Sequence, residues 1–500
     1  MRRLSGQDDG FLVLELPEQP MQTVVLALLR PGPEGPVQVE GVQRHMAARL
    51  HELPAFRWRV VPVPLGLSHP LFVEDPDFDL ARHVRHAVLP EPGGEGELDA
   101  LCARLAEQRL DRCRPLWQMT LVDGLASGRQ AIVLEIHHAL MDGFATLATL
   151  ARIFSASGDP AGDPDGSPDG SPAGGRDGQP GDARHPAPGD GWRPGRVPGG
   201  VRLVAGAVGH QARVLVRLPG LVTATRRGAA AVRRRRSEAA VTAPDAGVDT
   251  PLSTINRGFT AERRYARTWL PLEEVRRVKE AAGVTVNDVV LAVVAGALRS
   301  YLEARGELPA RPLVASVPVG MEGRGAPPRT AGNRFSRLTT SLATDVADPW
   351  TRLATIAAVT REAKVCLDLA GRQLLPDWLE YLPPLLGEPA VRRVQAARRN
   401  PGTTPAKLDA NVVVSNVRGP PEPWRFGSAV VEEMYLAGPP NGGVGVTIVA
   451  WDYAGRLLLG LLSFADSVED PGELTAGLRR ALAELVEAAE RVRAAPIPDV

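Results

Sequence analysis

Residues 131–154 read AIVLEIHHALMDGFATLATLARIF, and this stretch limits the fold more than any other. Ile132, Val133, Leu134 and Ile136 form an apolar run that suits a strand covered on both faces. A run this short also fits buried helix. Phe144, Leu147, Leu150 and Ile153 follow at helical spacing, and Asp142 before them has the residue type of a helix N-cap. A buried strand, a turn and a helix give the α/β class. His137 and His138 stand at the turn. If the strand runs into them, their side chains point to opposite faces, so one of the two faces a given cleft.

Histidine suits a general base near neutral pH, because its ordinary pKa lies in that range. The plainer alternative is a packing or hydrogen-bonding histidine, with Asp142 doing no more than capping the helix. A metal site finds little support. Cys102, Cys113 and Cys366 are scattered, and no second cluster of His or carboxylate has ligand spacing.

HHALMDG matches the HHxxxDG motif of the CoA-dependent acyltransferase superfamily, which includes the condensation domains of peptide synthetases. More narrowly, the chain resembles the bacterial wax ester synthase/diacylglycerol acyltransferase family over nearly its whole length. Asp8, Phe11, Glu15, Pro20 and Met21 match that family's LSxxDxxFLxxE opening and Pro-Met pair. Pro115-Leu116-Trp117 resembles its PLW motif, Asn287-Asp288 its ND motif, and Gly332-Asn333-Arg334 a GN motif. Ser415-Asn416-Val417 and the Gly-Pro after them resemble its SNVxGP segment.

Five hundred residues exceed one ordinary core, so two domains are expected. Formal net charge is zero, which gives no global argument for nucleic acid. Three scattered cysteines make no disulfide framework and fit a reducing cytoplasm. The N-terminus lacks an apolar core of signal-peptide length, and no uninterrupted apolar run reaches about 18 residues.

The domains are read as 1–154, a disordered Gly/Pro/Asp-rich linker over 155–200, a basic apolar helical connector over 201–249, and 250–500. The connector holds Arg202, Arg213, Arg217, Arg226, Arg227 and Arg233 to Arg236 without an acid between 201 and 236. It reads either as two helices broken near Pro219-Gly220 on an anionic membrane or lipid-droplet surface, or as a solvated domain-bridging helix. No aromatic residue interleaves these charges, which argues against nucleic acid. Ser5 and Thr285 or Asn287 are read as helix caps. Trp117 is read either as core or as an acyl-chain contact.

The resemblance implies a two-domain fold of the chloramphenicol acetyltransferase/condensation-domain type, with a cleft or tunnel between domains. It implies transfer of a fatty acyl group from acyl-CoA, as substrate and with no other cofactor, to a long-chain alcohol or diacylglycerol. His138 is the expected base, with His137 as a second participant and Asp142 shaping the turn. Gly143, Asn287, Asp288, Pro115 and Trp117 are the expected substrate-side residues, and Asn287 is a candidate oxyanion donor by this resemblance only. The remaining alternatives are the same fold with another acceptor, or a lipid-binding protein without activity. The expected location is the cytoplasm, peripheral to the inner membrane or lipid inclusions.

Overall fold

The structure, a computed structural model, describes residues 1–154, 197–245, 248–256, 259–323, 325–399 and 408–494. The expected linker over 155–200 falls outside them up to residue 196. The first half runs β1 (Arg2–Arg3), α1 (Gly6–Leu14), β2 (Gln22–Arg30), α2 (Val39–Arg49), β3 (Trp58–Val61), β4 (Leu71–Glu74), β5 (Val84–Val88), α3 (Glu95–Ala106), β6 (Trp117–Asp123), β7 (Gln130–His137) and α4 (Gly143–Phe154). The long helix α5 (Gly200–Glu238) follows. The second half runs β8 (Arg263–Pro271), α6 (Leu272–Ala282), α7 (Val286–Glu303), β9 (Val314–Gly320), β10 (Phe335–Ser341), α8 (Pro349–Ala370), α9 (Leu374–Leu379), α10 (Pro384–Arg399), β11 (Val412–Arg418), β12 (Arg425–Phe426), β13 (Ala429–Ala437), β14 (Val446–Tyr453), β15 (Arg456–Phe464) and α11 (Pro471–Ala494).

Helix starts follow local chemistry. Ser5 accepts from the backbone N–H of Asp8, and the Asp8 carboxylate accepts from the N–H of Ser5, a reciprocal capping box. Thr285 and Asp288 do the same for α7. Asp348 caps α8, with Pro349 at its first position, where no N–H is needed.

Two six-stranded sheets carry the molecule, in orders β12-β13-β2-β7-β6-β5 and β10-β9-β11-β14-β15-β8. All eight residues of β7 are buried. Each fully buried Val, Leu or Ile side chain there contributes roughly 1.5–3 kcal/mol. The halves do not divide the sheets cleanly. β13 leaves the second half to pair antiparallel with β2, from Val430 opposite Arg30 to Ala437 opposite Val24. The edge of the first sheet is thus completed by chain 400 to 413 positions away.

Of the two readings of the connector, the structure has the single helix rather than the broken pair. α5 is continuous through Pro219. Proline removes the bond to the carbonyl of Leu215, but that residue is 57% exposed, so water can serve its oxygen. The hydroxyl of Thr223 also donates to the carbonyl of Pro219 at 2.8 Å. Phe144 shares the helical spacing of Leu150 and Ile153, yet it is 52% exposed. It sits in the first turn of α4, and its ring lies so close to the backbone of Gly320 that a Cβ there would stand 2.2 Å from it.

Among the described residues no single helix is long and apolar enough to cross a membrane. α6 and α7 pass such a test only as a pair bent by 105°. α7 is largely buried in the core of the second half, from Val289 to Leu298.

Candidate active site

β7 ends at His137, and the chain turns through His138, Ala139 and Leu140 before α4. The turn is anchored on its own half by two backbone bonds. The N–H of His137 donates to the carbonyl of Leu116 at 3.0 Å, and that of His138 to the carbonyl of Met21 at 2.8 Å. The other half holds the far side. Gly332 bridges Met141, its N–H donating to the carbonyl of Leu140 at 2.5 Å and its carbonyl accepting from the N–H of Asp142 at 3.3 Å. Gly332 has φ 84°, which favours glycine, and the Arg2 guanidinium lies over it, where a Cβ would stand 2.3 Å away unless that side chain moved.

His138 is half-buried, and its ring stacks on Phe11 of α1 with centroids 4.0 Å apart. Its Nδ1 lies 3.1 Å from Oδ1 of Asn333. The Asn333 amide has one arrangement. Its Nδ2 donates to the carbonyl of His138 at 2.8 Å and to Oδ1 of Asp8 at 2.8 Å. Both amide hydrogens are spent, so Oδ1 must accept, and His138 must carry its proton on Nδ1. Nε2 is then left with a lone pair. Burial pushes the imidazole below its ordinary value, against opposing pulls from Asp142 and Asn333, so the ring is neutral at neutral pH. Behind Asn333 stands the fully buried Asp8, which accepts from both the Asn333 N–H and its amide.

His137 faces the other way, as the strand pleat requires. It is fully buried. Its Nδ1 accepts from the N–H of Ala139 at 3.0 Å, so Nε2 carries the proton and points at Oε1 of Glu15, 3.4 Å away. Burial pushes the Glu15 carboxyl up, but His137 and Arg112 outweigh it and hold it below the usual range.

Asp142 caps α4, with Oδ1 accepting from the N–H of Ala145 at 3.0 Å. Its Oδ2 accepts from the N–H of Arg334 at 2.7 Å and from the Arg329 guanidinium. Oδ1 is spent on the cap of its own helix, and Oδ2 on contacts that join the two halves. Gly143 lies beside Val417 of β11, and a Cβ there would stand at an ordinary contact distance of 3.5 Å.

The other expected residues lie elsewhere. Pro115 is buried, and Leu116 between it and Trp117 supplies the carbonyl that holds His137. Trp117 is 1% exposed, stacks on Phe56 and His83, and donates from Nε1 to the carbonyl of Phe56 at 2.8 Å, which makes it core. Asp288 is consumed by the cap of α7, and Asn287 beside it is half-buried. Among the described residues no hydrogen bond links either to the His138 turn. Asn333 and Asp8 are the residues that motif reading left without a role. Their signal lay in polar side chains inside matched motifs, with no clue that the fold would join them. Among the described residues no three His, Cys, Asp or Glu side chains gather to hold a metal.

Residues 4–290 match the wax ester synthase/diacylglycerol acyltransferase catalytic domain, and residues 331–486 match the C-terminal domain of the same enzymes. The chain belongs to the wax ester synthase/diacylglycerol acyltransferase family. A Mycobacterium tuberculosis protein named for diacylglycerol O-acyltransferase activity is 35% identical over 490 residues, covering 97% of this chain and 96% of that protein. A second from the same organism, with the same kind of name, is 33% identical over 501 residues, covering 99% of each. The wax ester synthase/diacylglycerol acyltransferase from Marinobacter aquaeolei VT8 superposes with a TM-score of 0.65 at 27% identity, over 98% of this chain and 100% of that one. The first condensation domain of the CDA synthetase shares the fold, with a TM-score of 0.55 at 19% identity over 98% of this chain and 96% of that one. The two-domain acyltransferase fold expected from the motifs is therefore the observed one, and the chain is a CoA-dependent acyltransferase of this family.

Proposed function

We propose that this family member esterifies a long-chain alcohol or a diacylglycerol with a fatty acyl group from acyl-CoA, with His138 as general base. The observation that carries the reading is the fixed tautomer of His138, whose Nδ1 is tied to Asn333. Nε2 takes the proton of the acceptor hydroxyl as its oxygen attacks the thioester carbonyl. The tetrahedral intermediate collapses, the carbon–sulfur bond breaks, and the departing thiolate of coenzyme A recovers the proton from Nε2. Both substrates are held together, so no acyl-enzyme is required. Asp8, through Asn333, favours the imidazolium that forms in between. Asp142 and Gly143 shape the turn, and His137 keeps a structural role. Asn287 remains a candidate oxyanion donor by family likeness alone.

We also place the enzyme in the cytoplasm at an anionic lipid surface, through α5. Val201, Val208, Leu215 and Val216 of that helix are exposed, and so are Arg202, Arg213, Arg217, Arg226 and Arg227. An apolar and cationic face of this kind suits the headgroup region of a membrane or lipid inclusion.

The deciding experiment measures coenzyme A release from palmitoyl-CoA with hexadecanol or a diacylglycerol, with product analysis, for wild type and His138→Ala. Acceptor-dependent ester that collapses in a folded His138→Ala protein supports the reading, and the preferred acceptor separates wax ester from triacylglycerol. Full activity in His138→Ala overturns the mechanism.

A further inference from the structure

A cavity of about 500 Å³ lies between the end of α1 and the inner side of α10. That volume is ordinary for a small-molecule site. It adjoins the catalytic turn. Phe11 stacks on His138, the next residue, Leu12, is cavity wall, and Glu15, one helical turn on, stands 3.4 Å from His137.

Leu12, Leu16 and Ala396 make its apolar side, and Glu15 and Gln395 its polar side. Those two are 6% and 3% exposed; Oε1 of Glu15 faces Nε2 of His137 at 3.4 Å, and Oε1 of Gln395 is buried without a hydrogen bond among the described residues. The orientation of Gln395 is set, because its Nε2 donates to the carbonyl of Leu14 at 2.9 Å. The Gln395 orphan atom is an acceptor, so its absent partner is a hydrogen-bond donor.

The charge on the wall separates the candidate guests. Arg112 is engaged by Glu15, and Arg392 by Glu388 at 3.4 Å, which leaves Arg109 as the lining cation without an ion pair among the described residues. A lining this nearly balanced is a poor seat for the several negative charges of coenzyme A. It suits a neutral apolar molecule that carries a hydroxyl. The outer side of α10 points the same way. Leu385, Leu386 and Val394 are 54%, 60% and 51% exposed there, beside the exposed Arg393. Leu65, 80% exposed, precedes Gly66, where a Cβ would stand 2.9 Å from the backbone of Leu385. One helix therefore lies between an apolar outer surface and an open pocket that holds an unsatisfied acceptor.

We propose that this cavity is the port of the acceptor alcohol, which leaves a lipid surface at α10 and donates its hydroxyl to Gln395 on its way to the catalytic turn. The proposal rests on the ester-forming reading above. Its test uses the full-length protein and a sixteen-carbon alcohol bearing a diazirine. Photolabelling followed by peptide mapping is expected to mark 12–17 and 388–396, and excess hexadecanol is expected to suppress the label. Labelling confined to other segments overturns the proposal. In steady-state kinetics, Ala396→Trp, which fills the cavity, is expected to raise KM for hexadecanol at least tenfold while KM for palmitoyl-CoA moves less than twofold. Gln395→Leu, nearly isosteric, is expected to raise the same KM several-fold. A rise in KM for palmitoyl-CoA instead makes this the donor site and overturns the proposal, as do two unchanged KM values. If Ala396→Trp does not fold, the wild-type photolabel decides. If wild type forms no ester from any lipid alcohol, the ester-forming reading fails by itself, and the label still reports whether the cavity takes an alcohol.

Discussion

Two adjacent histidines of the same chemical type end in opposite surroundings. His138 is held by the other half of the molecule, through an asparagine 195 positions away, with one ring nitrogen left unengaged. His137 is enclosed by its own half, with one nitrogen bound to the backbone of Ala139 and the other facing Glu15. The pleat of β7 sends them to different faces, but that alone makes neither reactive. The partner set does. An amide with both hydrogens spent forces the proton of His138 onto Nδ1, and a carboxylate behind the amide supports the charge that proton transfer creates. The same device cannot act on His137, whose Nδ1 already accepts from a peptide N–H.

The sharpest way to break this comparison is to remove the reactive ring. His138→Ala is expected to lower kcat for ester formation by about 10²–10⁴-fold while leaving the protein folded, since loss of a positioned base costs this much. Product assay together with near-UV circular dichroism checks both halves of the statement. The next largest effect is expected at Asn333, a positioning residue. Asn333→Leu frees the imidazole to rotate and to change tautomer, and is expected to cost about 10²-fold in kcat. It also has a pH signature. The active form is the neutral ring, so kcat/KM falls as pH drops through the pKa of His138. Burial already places that limb below the ordinary histidine value, and the Asn333 contact raises it again in part. Removing the contact therefore moves the acid limb to lower pH. A limb that stays in place would show that Asn333 has no hold on the proton.

Arg329→Met tests the stitching of the turn rather than its chemistry. Asp142, 4% exposed, would lose the guanidinium and keep the N–H groups of Ala145 and Arg334. The expected cost is about 1.5–3 kcal/mol in unfolding free energy, the usual scale for a hydrogen bond to a charged group. Urea unfolding measures it, and kcat is expected to fall less than tenfold if the turn keeps its shape.

These expectations also show how much was legible beforehand and why. The strand, turn and helix around HHALMDG and the caps at Ser5 and Thr285 depend on neighbours in sequence, and each is visible in local pattern. The opposite orientation of the two histidines follows from the same local rule. The partner of His138 does not. Asn333, Asp8 and Arg329 are ordinary polar residues until the fold sets them beside the turn. The return of β13 to pair with β2 is equally invisible, because an apolar strand carries no address for its sheet. Trp117 resembled a ligand contact for the reason it is core: a large apolar ring fits either place, and only its neighbours Phe56 and His83 decide. Phe144 shares the helical spacing of Leu150 and Ile153, yet it is 52% exposed and its ring lies against Gly320.

The smallest effect on activity is expected at His137, and it sharpens the comparison most because the residue is identical. His137→Ala removes the acceptor of the Ala139 N–H and the partner of Glu15 Oε1. It leaves the backbone anchors of the turn, to Leu116 and Met21, in place. A buried donor left unsatisfied costs about 1–3 kcal/mol, and the loss of a buried ring adds to that, so destabilisation is the main outcome. Because the ring lies on the far face of the strand from His138, kcat is expected to fall less than tenfold at a temperature where the variant is folded. His137→Gln, which can keep a polar group in the space, is expected to recover part of the stability. If His137→Ala instead abolishes turnover in a protein of near-native stability, the two faces of β7 are not chemically separate, and His137, with Glu15 and Arg112 behind it, belongs to the reacting machinery.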